Sequence, residues 1–248
     1  MRLRQICFVA KDLENALKNF SFIIGSEVCF RDEGVSHFGL ENGLLEIDGN
    51  FIEVVSPFKQ DTTAERFMSK MNGDAGYMLI FECENADLYR QKADKLNIRS
   101  IWKTDLESGV KATHYHPKDI GGLIISVDSM NKKDWKDKNS YWQWAGDDWQ
   151  FKTNNQCSIS SISMSCKNPS KLANQWGSFL DLSVNESGDT YIIEGDNFKI
   201  FFIYDDIKRI DYLSELTLKI NNYELKDKIF QKYKENEIEI CGTKIELI

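Results

Sequence analysis

Two imidazoles and a charged loop form the densest group of chemically capable side chains in the sequence. His114 and His116 are two of the chain's three histidines, and on a strand residues two apart point to the same face. Pro117 and Lys118 follow in the run HPKDIGG, whose proline and glycines indicate a loop. Because imidazoles so placed can transfer protons, we predict His114 and His116 as catalytic residues and Lys118 as a ligand contact. Alternatively, His116 has a structural role and orients the loop through hydrogen bonds.

A carboxylate and an amide form the second candidate group. Glu53 lies in the apolar run FIEVVSP, and Gln5 lies in the strand-like run RLRQICFVA. In a cleft that excludes water the pKa of Glu53 would rise, which suits a general base near neutral pH. A buried Glu53 can equally be satisfied by a hydrogen bond from Gln5. Both interpretations stay open, with Glu53 as the candidate base and Gln5 as a candidate ligand contact.

Three further side chains are candidate ligand contacts, and each has a structural alternative. Arg31 ends a predicted strand and could bind an acidic ligand, although surface arginines are common. His37 is predicted at a sheet edge, where a partly exposed structural histidine is the alternative. Trp102 is predicted on a strand, where packing in the core is the alternative.

The elements that must position these residues begin with a strand, a helix and further strands, all of them before Pro57. Asp12 is a helix N-cap and Gly25 a helix C-terminal glycine. Gly, Asn and Asp mark the joints between the other elements. The predicted strands of this module are residues 2–10, 27–31, 36–40, 44–47 and 50–55, with a turn at Asn42-Gly43.

The same order of elements returns three more times. A connecting helix at 62–71, ended by Asn72-Gly73, leads into the second module. Asn85 or Asp87 caps the helix of that module, and Asn168-Pro169 begins the helix of the third. The predicted strands are residues 77–83, 98–103, 112–116 and 123–127, then 158–166, 190–194 and 198–204, and in the last module 213–220, 237–241 and 243–248 around a helix at 223–233.

Equal spacing between equivalent strands indicates an internal duplication. The interval from Gln5 to Glu53 (53 − 5) equals the interval from Met78 to Ser126 (126 − 78). The two copies share little identity, so the repeat lies in the spacing of elements. Met78 is therefore predicted at the position of Gln5, and Ser126 at that of Glu53.

The duplicated strand-helix-strand pattern resembles the vicinal oxygen chelate superfamily, which includes glyoxalases, bleomycin-resistance proteins and extradiol dioxygenases. The runs QICFVAKDL and FIEVVSP resemble that superfamily's first and fourth strands, and HPKDIGG resembles a segment of methylmalonyl-CoA epimerases. The resemblance is good over residues 1–130 and covers only the order of elements over 155–248. It implies an α+β fold of four βαβββ-type modules, paired into two glyoxalase-like domains with curved, partly closed mixed sheets.

The resemblance also implies where a metal would bind. Metal enzymes of the superfamily use a His or Gln from each first strand and a Glu from each fourth strand, and of these this chain keeps Gln5 and Glu53. Met78 and Ser126 stand at the other two positions, where a thioether and a hydroxyl are poor ligands for a divalent cation. We therefore predict no cofactor; if a divalent metal binds, Gln5 and Glu53 hold it.

The second half departs further from the metal-binding pattern. By the same count its four positions hold Ser161, Ile200, Glu215 and Glu246. Extradiol dioxygenases take two His and one Glu from their second half, whereas all three histidines here lie before residue 117. This distribution argues against ring-cleaving dioxygenase chemistry.

A tryptophan-rich segment separates the two halves. Residues 130–150 are charged and aperiodic, yet they hold Trp135, Trp142, Trp144 and Trp149. Such a segment either covers apolar surface or contributes to a ligand site. We predict a glyoxalase-like domain at 1–129 with modules at about 1–57 and 75–129, a connecting segment at 130–154, and a shorter, divergent glyoxalase-like domain at 155–248.

Composition restricts the partners of the chain. A net charge of −8 argues against binding to nucleic acids and anionic membranes. Six scattered cysteines without C-x-x-C spacing are typical of buried free thiols. With no secretory signal and no apolar run long enough to span a membrane, the expected compartment is the cytoplasm. We expect a small-molecule partner, no nucleic acid and no membrane, and allow for a homodimer.

Two classes of function remain open. In one, the chain is a lyase or isomerase type of enzyme with a cleft in its N-terminal half, Glu53 as the base and a histidine as the acid. In the other, it binds or sequesters a small molecule without a metal, as bleomycin-resistance proteins do. The altered positions Met78 and Ser126 favour binding, while Gln5, Glu53 and the two histidines favour a working site.

Overall fold

Strands in the described residues form two mixed sheets. The computed structural model describes residues 1–153, 155–207, 210–233 and 237–248. The first eight strands are β1 (Arg2–Val9), β2 (Val28–Phe30), β3 (Leu40–Ile47), β4 (Asn50–Pro57), β5 (Ala75–Glu82), β6 (Ser100–Asp105), β7 (Lys111–Tyr115) and β8 (Ile124–Asp128). The other seven are β9 (Cys157–Cys166), β10 (Val184–Ser187), β11 (Thr190–Glu194), β12 (Lys199–Tyr204), β13 (Tyr212–Ile220), β14 (Glu237–Ile240) and β15 (Thr243–Leu247).

Helices connect the strands of each module. They are α1 (Leu13–Ile24), α2 (Thr63–Met71), α3 (Ala86–Lys95), the short α4 (Pro117–Ile120), α5 (Pro169–Leu180) and α6 (Tyr223–Tyr233). Short 3₁₀ helices lie at Glu33–Phe38, Gln143–Ala145 and Trp149–Lys152. In the part of the chain that the structure describes, no helix has both the length and the apolar character needed to cross a bilayer.

The predicted α+β fold with repeated modules is confirmed. The first sheet has the strand order β2-β3-β4-β1-β5-β8-β7-β6, and the second has the order β10-β11-β12-β9-β13-β15-β14. Both are mixed, as predicted, because parallel and antiparallel pairs occur in each: β1 pairs with β4 in parallel while β3 and β4 pair antiparallel. Within the described residues each sheet has two end strands, so neither sheet closes into a complete barrel.

Strand register supports the predicted duplication. In β1 and β4, Cys7 pairs with Glu53, and in β5 and β8, Ile80 pairs with Ser126. Ser126 therefore stands in the second module where Glu53 stands in the first. The predicted equivalence of these two positions agrees with the pairing.

In the second sheet, the register corrects one predicted position. Thr217 pairs with Glu246, as expected for the last module. In the third module Ser163 pairs with Phe201, so Phe201, and not Ile200, is equivalent to Glu53. Ile200 is fully buried and belongs to the core. The predicted position is therefore off by one residue. Because side chains alternate along a strand, this shift moves the position to the opposite face of the sheet.

By its internal contacts the chain divides into two compact units that are discontinuous in sequence. Unit 1 consists of Met1–Arg4, Met78–Tyr141 and Ser161–Leu213. Unit 2 consists of Gln5–Tyr77, Trp142–Ser160 and Ser214–Ile248. The predicted division into domains at 1–129 and 155–248, with a connecting segment between them, follows the sequence repeats and stays a prediction.

Local sequence signals account for most helix boundaries. The side chain of Asp12 accepts the Asn15 N–H at 3.0 Å at the start of α1, and Gly25 ends that helix with φ 66°. The amphipathic face of α1 packs into unit 2, where Phe20 stacks against Phe8 with ring centroids 4.7 Å apart. The side chain of Asn168 caps α5 in the same way as Asp12 caps α1.

The predicted turn at Asn42-Gly43 is wrong, because β3 continues through both residues. The turn lies instead at Asp48-Gly49, where both residues have positive φ, as a two-residue hairpin turn requires. A Cβ on Gly43 would lie 2.6 Å from Leu17 Cδ1, so this glycine permits the close approach of α1 to the strand. The predicted strand at 36–40 is also wrong, since Glu33–Phe38 forms a 3₁₀ helix.

Candidate functional site

Gln5 and Glu53 meet in unit 2 as one buried hydrogen-bonded network. The Gln5 Nε2 group donates to Glu53 Oε2 over 2.7 Å, and Asn42 Nδ2 donates to Glu53 Oε1 over 2.6 Å. Glu53 is only 6% exposed, and Gln5 and Asn42 are buried as well. Each oxygen of the carboxylate therefore accepts a hydrogen bond from an amide, as burial of a charged group requires.

Trp142 closes the network on the other side of Gln5. Its indole N–H donates to Gln5 Oε1 over 3.1 Å, and its side chain is fully buried. This bond fixes the orientation of the amide, so that the Gln5 oxygen faces the indole and the NH₂ group faces Glu53. The connecting segment thus supplies a direct partner to a predicted site residue.

The electrostatics of Glu53 are set by two opposing effects. Burial raises the pKa of Glu53, and hydrogen bonds from Asn42, Cys7 and Gln5 oppose that rise. Burial also raises the pKa of the Cys7 thiol well above its ordinary value. Both groups consequently favour their protonated forms more than they would in water, and Glu53 can hold or release a proton closer to neutral pH.

An open groove of about 410 Å³ lies in unit 2 beside this network. Its lining includes Arg31, Leu40, Asn42 and Phe58, and the Phe58 ring is 54% exposed. Because Asn42 also donates to Glu53, the groove and the buried carboxylate share one residue. A small molecule in the groove would meet an exposed aromatic face and polar groups on the same wall.

Arg31 lines the groove, but its charge is paired. One guanidinium nitrogen lies 2.8 Å from Glu14 Oε1, and another donates to the Asn42 carbonyl at 3.3 Å. The arginine and glutamate side chains are 47% and 71% exposed, so water screens the pair and its strength is small. An acidic ligand would have to compete with Glu14 for this guanidinium.

His37 is not at a sheet edge, and that part of the prediction is wrong. It is an exposed residue near the end of the 3₁₀ helix Glu33–Phe38, and its ring lies edge-on to Phe38 at 5.3 Å between centroids. The error follows from treating residues 36–40 as a strand.

In unit 1, His114 and Trp102 pack together on neighbouring strands. Their ring centroids are 4.5 Å apart with a 45° tilt, and the two residues are register partners in β6 and β7. Burial lowers the pKa of His114 to about 4, so its imidazole is neutral at pH 7. Such an imidazole can form hydrogen bonds through both ring nitrogens, but it is a weak base and carries no acidic imidazolium proton at neutral pH.

His116 caps a helix, which agrees with the structural alternative. Its Nδ1 atom accepts the Lys118 N–H at 3.0 Å at the start of α4, whose first residue is Pro117. Lys118 itself is exposed. His116 lies just outside β7, so the alternation of side chains along that strand does not place it on the same face as His114.

A divalent ion, which the family resemblance implies, does not fit this donor set. Both oxygens of Glu53 accept hydrogen bonds, and the Gln5 oxygen accepts one from Trp142. At the equivalent position of unit 1, the Ser126 hydroxyl donates to Asp128 Oδ1 over 2.6 Å. Over residues 1–153, 155–207, 210–233 and 237–248, no group of three or more His, Cys, Asp or Glu is arranged to hold a metal ion. No chemical step is therefore assigned to a metal.

Sequence reasoning misses two members of the unit 2 network. The pair Asn42-Gly43 is a strong turn signal, although the position of Asn42 beside an apolar run is also compatible with a strand. The sequence shows Trp142 only as one of several tryptophans in the connecting segment. Its partner cannot be inferred, because 137 residues separate it from Gln5.

A second buried polar cluster, in unit 1, is also missed. Arg4 and Glu82 are fully buried, with Arg4 Nε 3.6 Å from Glu82 Oε2. The Arg4 guanidinium donates to the backbone carbonyls of Lys138 and Ser140. Arg4 thereby anchors the first part of the connecting segment within unit 1. The signal in the sequence is a charged residue at an inward position of a buried strand.

The solved structures include a protein that matches this chain over almost its full length. The structure is similar to a hypothetical protein from Staphylococcus aureus with a TM-score of 0.66 and 13% identity, covering 99% of this chain and 98% of that one. At this identity the similarity shows a shared fold alone. No protein-family model matches this chain. No curated protein matches it either.

About half of the chain is also similar to methylmalonyl-CoA epimerases. A Streptomyces coelicolor variant in complex with 2-nitronate-propionyl-CoA has 18% identity and a TM-score of 0.47, over 53% of this chain and 99% of that one. The Mycobacterium tuberculosis enzyme has 18% identity and a TM-score of 0.46, over 53% of this chain and 89% of that one.

Proposed function

We propose that this chain is a glyoxalase-like protein that binds a small molecule in the unit 2 groove without a resident metal. The observation that carries the proposal is the double role of Asn42, which lines the groove and holds the buried Glu53. A bound ligand would therefore contact a polar wall that the Asn42–Glu53 hydrogen bond already holds in place, and the Phe58 ring would give it an apolar surface. This is the mode of action expected of a binding or sequestering protein of the bleomycin-resistance type.

A thermal-shift screen of small metabolites on three proteins tests the proposal. A ligand that binds only the folded state raises the melting temperature. We expect such a ligand to stabilise the wild type and Leu88→Ala, and to stabilise Phe58→Ala much less. Phe58 is an exposed groove residue, so its replacement should leave the fold intact, and Leu88 is an exposed apolar control in unit 1. Equal shifts in all three proteins, or no shift from any compound, would contradict the proposal.

The metal-free state has its own test. We expect purified protein to contain no stoichiometric divalent metal, because Gln5 and Glu53 satisfy one another and Trp142. Elemental analysis before and after chelator treatment measures this. One equivalent of a metal that the chelator removes would contradict the expectation.

The second candidate function is catalysis with Glu53 as a general base, and the raised pKa of Glu53 favours this role. In that case the reaction would be of the lyase or isomerase type. The wild type would then convert a ligand that Glu53→Gln binds but leaves unchanged. Conversion at equal rates by both proteins would exclude Glu53 as the base. We rank binding first, because both carboxylate oxygens already accept hydrogen bonds.

A homodimer also stays a prediction, which light scattering after size-exclusion chromatography can test.

A further inference from the structure

The unit 2 groove has an excess of negative charge. Four ionisable side chains line it, and they are the guanidinium of Arg31 and the carboxylates of Asp32, Glu33 and Glu41. The Arg31 guanidinium lies 2.8 Å from Glu14 Oε1, and Glu14 is outside the lining. Because this ion pair offsets the one positive charge, the three carboxylates dominate the electrostatic potential of the groove.

The three carboxylates can accept hydrogen bonds from a ligand. Glu33 and Glu41 are exposed, and in the part of the chain that the structure describes neither carboxylate has an ion-pair or hydrogen-bond partner. The Asp32 carboxylate accepts one hydrogen bond, from the Gly34 N–H at 2.8 Å, and keeps further acceptor capacity. An ammonium group offers up to three donors, so it can bind here without breaking the Arg31–Glu14 pair.

The buried Glu53 extends the negative region behind the groove wall. The hydrogen bonds that stabilise its carboxylate come from the neutral side chains of Asn42, Cys7 and Gln5. Burial is the main cause of the raised pKa of Glu53, and the negative charge of Asp32 adds to the rise. The charge on the groove wall therefore acts on the buried carboxylate, and a cation in the groove would stabilise the charged form of Glu53.

The Phe58 ring adds an aromatic face that already lies near a cation. The ring is 54% exposed, and the Lys59 ammonium lies 5.6 Å from its centroid, within the range of a cation–π interaction. Lys59 is exposed, and its strongly hydrated ammonium can return to water at little cost. A ligand can therefore take the place of this lysine at the ring.

We propose that the groove selects organic cations, in which an ammonium group is joined to an apolar body. This inference rests on the proposed binding function and adds the charge class of the ligand. The ammonium binds the carboxylates of Glu33 and Glu41, and the apolar body packs on Phe58 and Leu40. A volume of about 410 Å³ is in the range of sites for small molecules.

Three probes of similar shape and different charge test the proposal. They are 2-phenylethylammonium, 2-phenylethanol and phenylacetate, and ligand-observed NMR titrations at neutral pH and low salt measure their dissociation constants. We expect the cation to bind most tightly, the alcohol about fivefold more weakly, and the anion most weakly of the three. Added salt should weaken the cation and leave the alcohol almost unchanged.

Variants of exposed residues should shift the affinity for the cation in opposite directions. Glu41→Gln removes an acceptor and should weaken the cation about two- to fivefold, with little effect on the alcohol. Lys59→Gln removes the competing ammonium and should strengthen the cation. Glu107→Gln, which neutralises an exposed carboxylate in unit 1, is the matched control and should have no effect. A general loss of folding cannot produce both a weaker and a tighter variant.

The outcomes separate this inference from the proposed function. Equal affinities for the three probes, lost in Phe58→Ala, would support binding in the groove and overturn the preference for cations. Tighter binding of phenylacetate would also overturn it, and would indicate that Arg31 leaves Glu14 for the ligand. If no probe binds in a way that depends on Phe58, both the inference and the groove as a ligand site are contradicted.

Discussion

Glu53 and Glu82 are both buried carboxylates, but their surroundings give them different roles. Glu53 accepts hydrogen bonds from Gln5 and Asn42, which stabilise its charged form. Neither oxygen of Glu82 has a hydrogen-bond partner within the described residues, and the Arg4 guanidinium faces it with Nε at 3.6 Å. Burial raises the pKa of Glu82 to about 7, and the charges of Arg4 and Arg2 oppose that rise. Glu82 is therefore a group that titrates in the physiological range.

Replacement of Glu82 by Gln should change how stability depends on pH. The pKa of Glu82 is about 7 in the folded protein, against an ordinary value of 4.5. Between these values the folded state binds more protons than the unfolded state, so stability falls as pH rises and the loss is complete above the folded pKa. The pH-dependent part is at most about 3 kcal/mol.

Urea denaturation of the wild type and Glu82→Gln at pH 5 and pH 8 measures this effect. We expect the wild type to lose more stability than the variant between the two pH values. In the variant Arg4 faces a neutral amide at both pH values, so this site no longer contributes to the pH dependence of stability. Parallel stability profiles for the two proteins would show that Glu82 does not titrate in this range.

His116 should behave as a helix cap and not as a catalytic group. Its Nδ1 atom accepts the Lys118 N–H, and asparagine can accept the same bond from that position. We expect His116→Asn to keep the melting temperature and His116→Ala to lose about 1 kcal/mol of stability. Thermal denaturation of the three proteins measures both. Equal losses in the two variants would indicate that another contact of the ring matters more than the cap.

At the level of elements, β3 is the segment on which the unit 2 site depends most. It places Asn42 beside Glu53 on β4, and Gly43 beside Leu17 of α1. The unbroken strand thus joins the helix to the site. A turn at Asn42-Gly43 would have separated Asn42 from the carboxylate that it binds.

Gly43→Ala should therefore destabilise the protein through the contact between α1 and β3. A Cβ would lie 2.6 Å from Leu17 Cδ1, and Leu17 is almost fully buried. Overpacking of this kind costs about 1–3 kcal/mol. Leu17→Ala makes room for the new methyl group, so the double variant should lose less stability than the sum of the two single variants.

Denaturation of the four proteins in this cycle measures the coupling between the two positions. Strictly additive losses would mean that the strand relaxes away from the helix. In that case Gly43 would be needed for its backbone conformation and not because it lets α1 approach β3 closely.

The connecting segment acts as a structural element in both units. In unit 1, Arg2 and Arg4 donate to its backbone carbonyls, including those of Trp135 and Ser140. In unit 2, Trp142 and Trp149 are buried against β1 and β4. Both predicted roles of the segment are thus compatible with its contacts: it covers apolar surface, and it reaches a candidate ligand site.

At the scale of the whole molecule, the six cysteines are buried free thiols. Burial raises the pKa of five of them to about 12, and that of Cys7 well above its ordinary value. Only the thiolate is a good nucleophile, so the native protein should react very slowly with a thiol reagent at pH 8.

Titration with an aromatic disulfide reagent checks this prediction. We expect almost no reaction in the native state and six equivalents after unfolding in urea without a reductant. Fewer than six equivalents in urea would indicate a disulfide, and rapid reaction of the native protein would indicate an accessible thiol.

The order of elements could be predicted from local signals, because a cap or a helix C-terminal glycine depends on neighbouring residues alone. Asp12, Gly25 and Asn168 are found in the predicted roles. The spacing of the first two modules also predicts the correct register for Glu53 and Ser126. The third module is misplaced by one residue, because its first and fourth strands carry no chemical marker.

The partners of the site residues depended on tertiary structure. A hydrogen bond between Gln5 and Glu53 is one of the two alternatives that the sequence leaves open, and it is present. Asn42 and Trp142 were not expected, since a strong turn signal concealed the first and 137 residues separate the second from Gln5. The sequence by itself determined the fold class, the repeats and one pair of site residues. Only the tertiary structure decided how that pair is satisfied, because hydrogen bonds between distant segments depend on chain packing that local patterns do not encode.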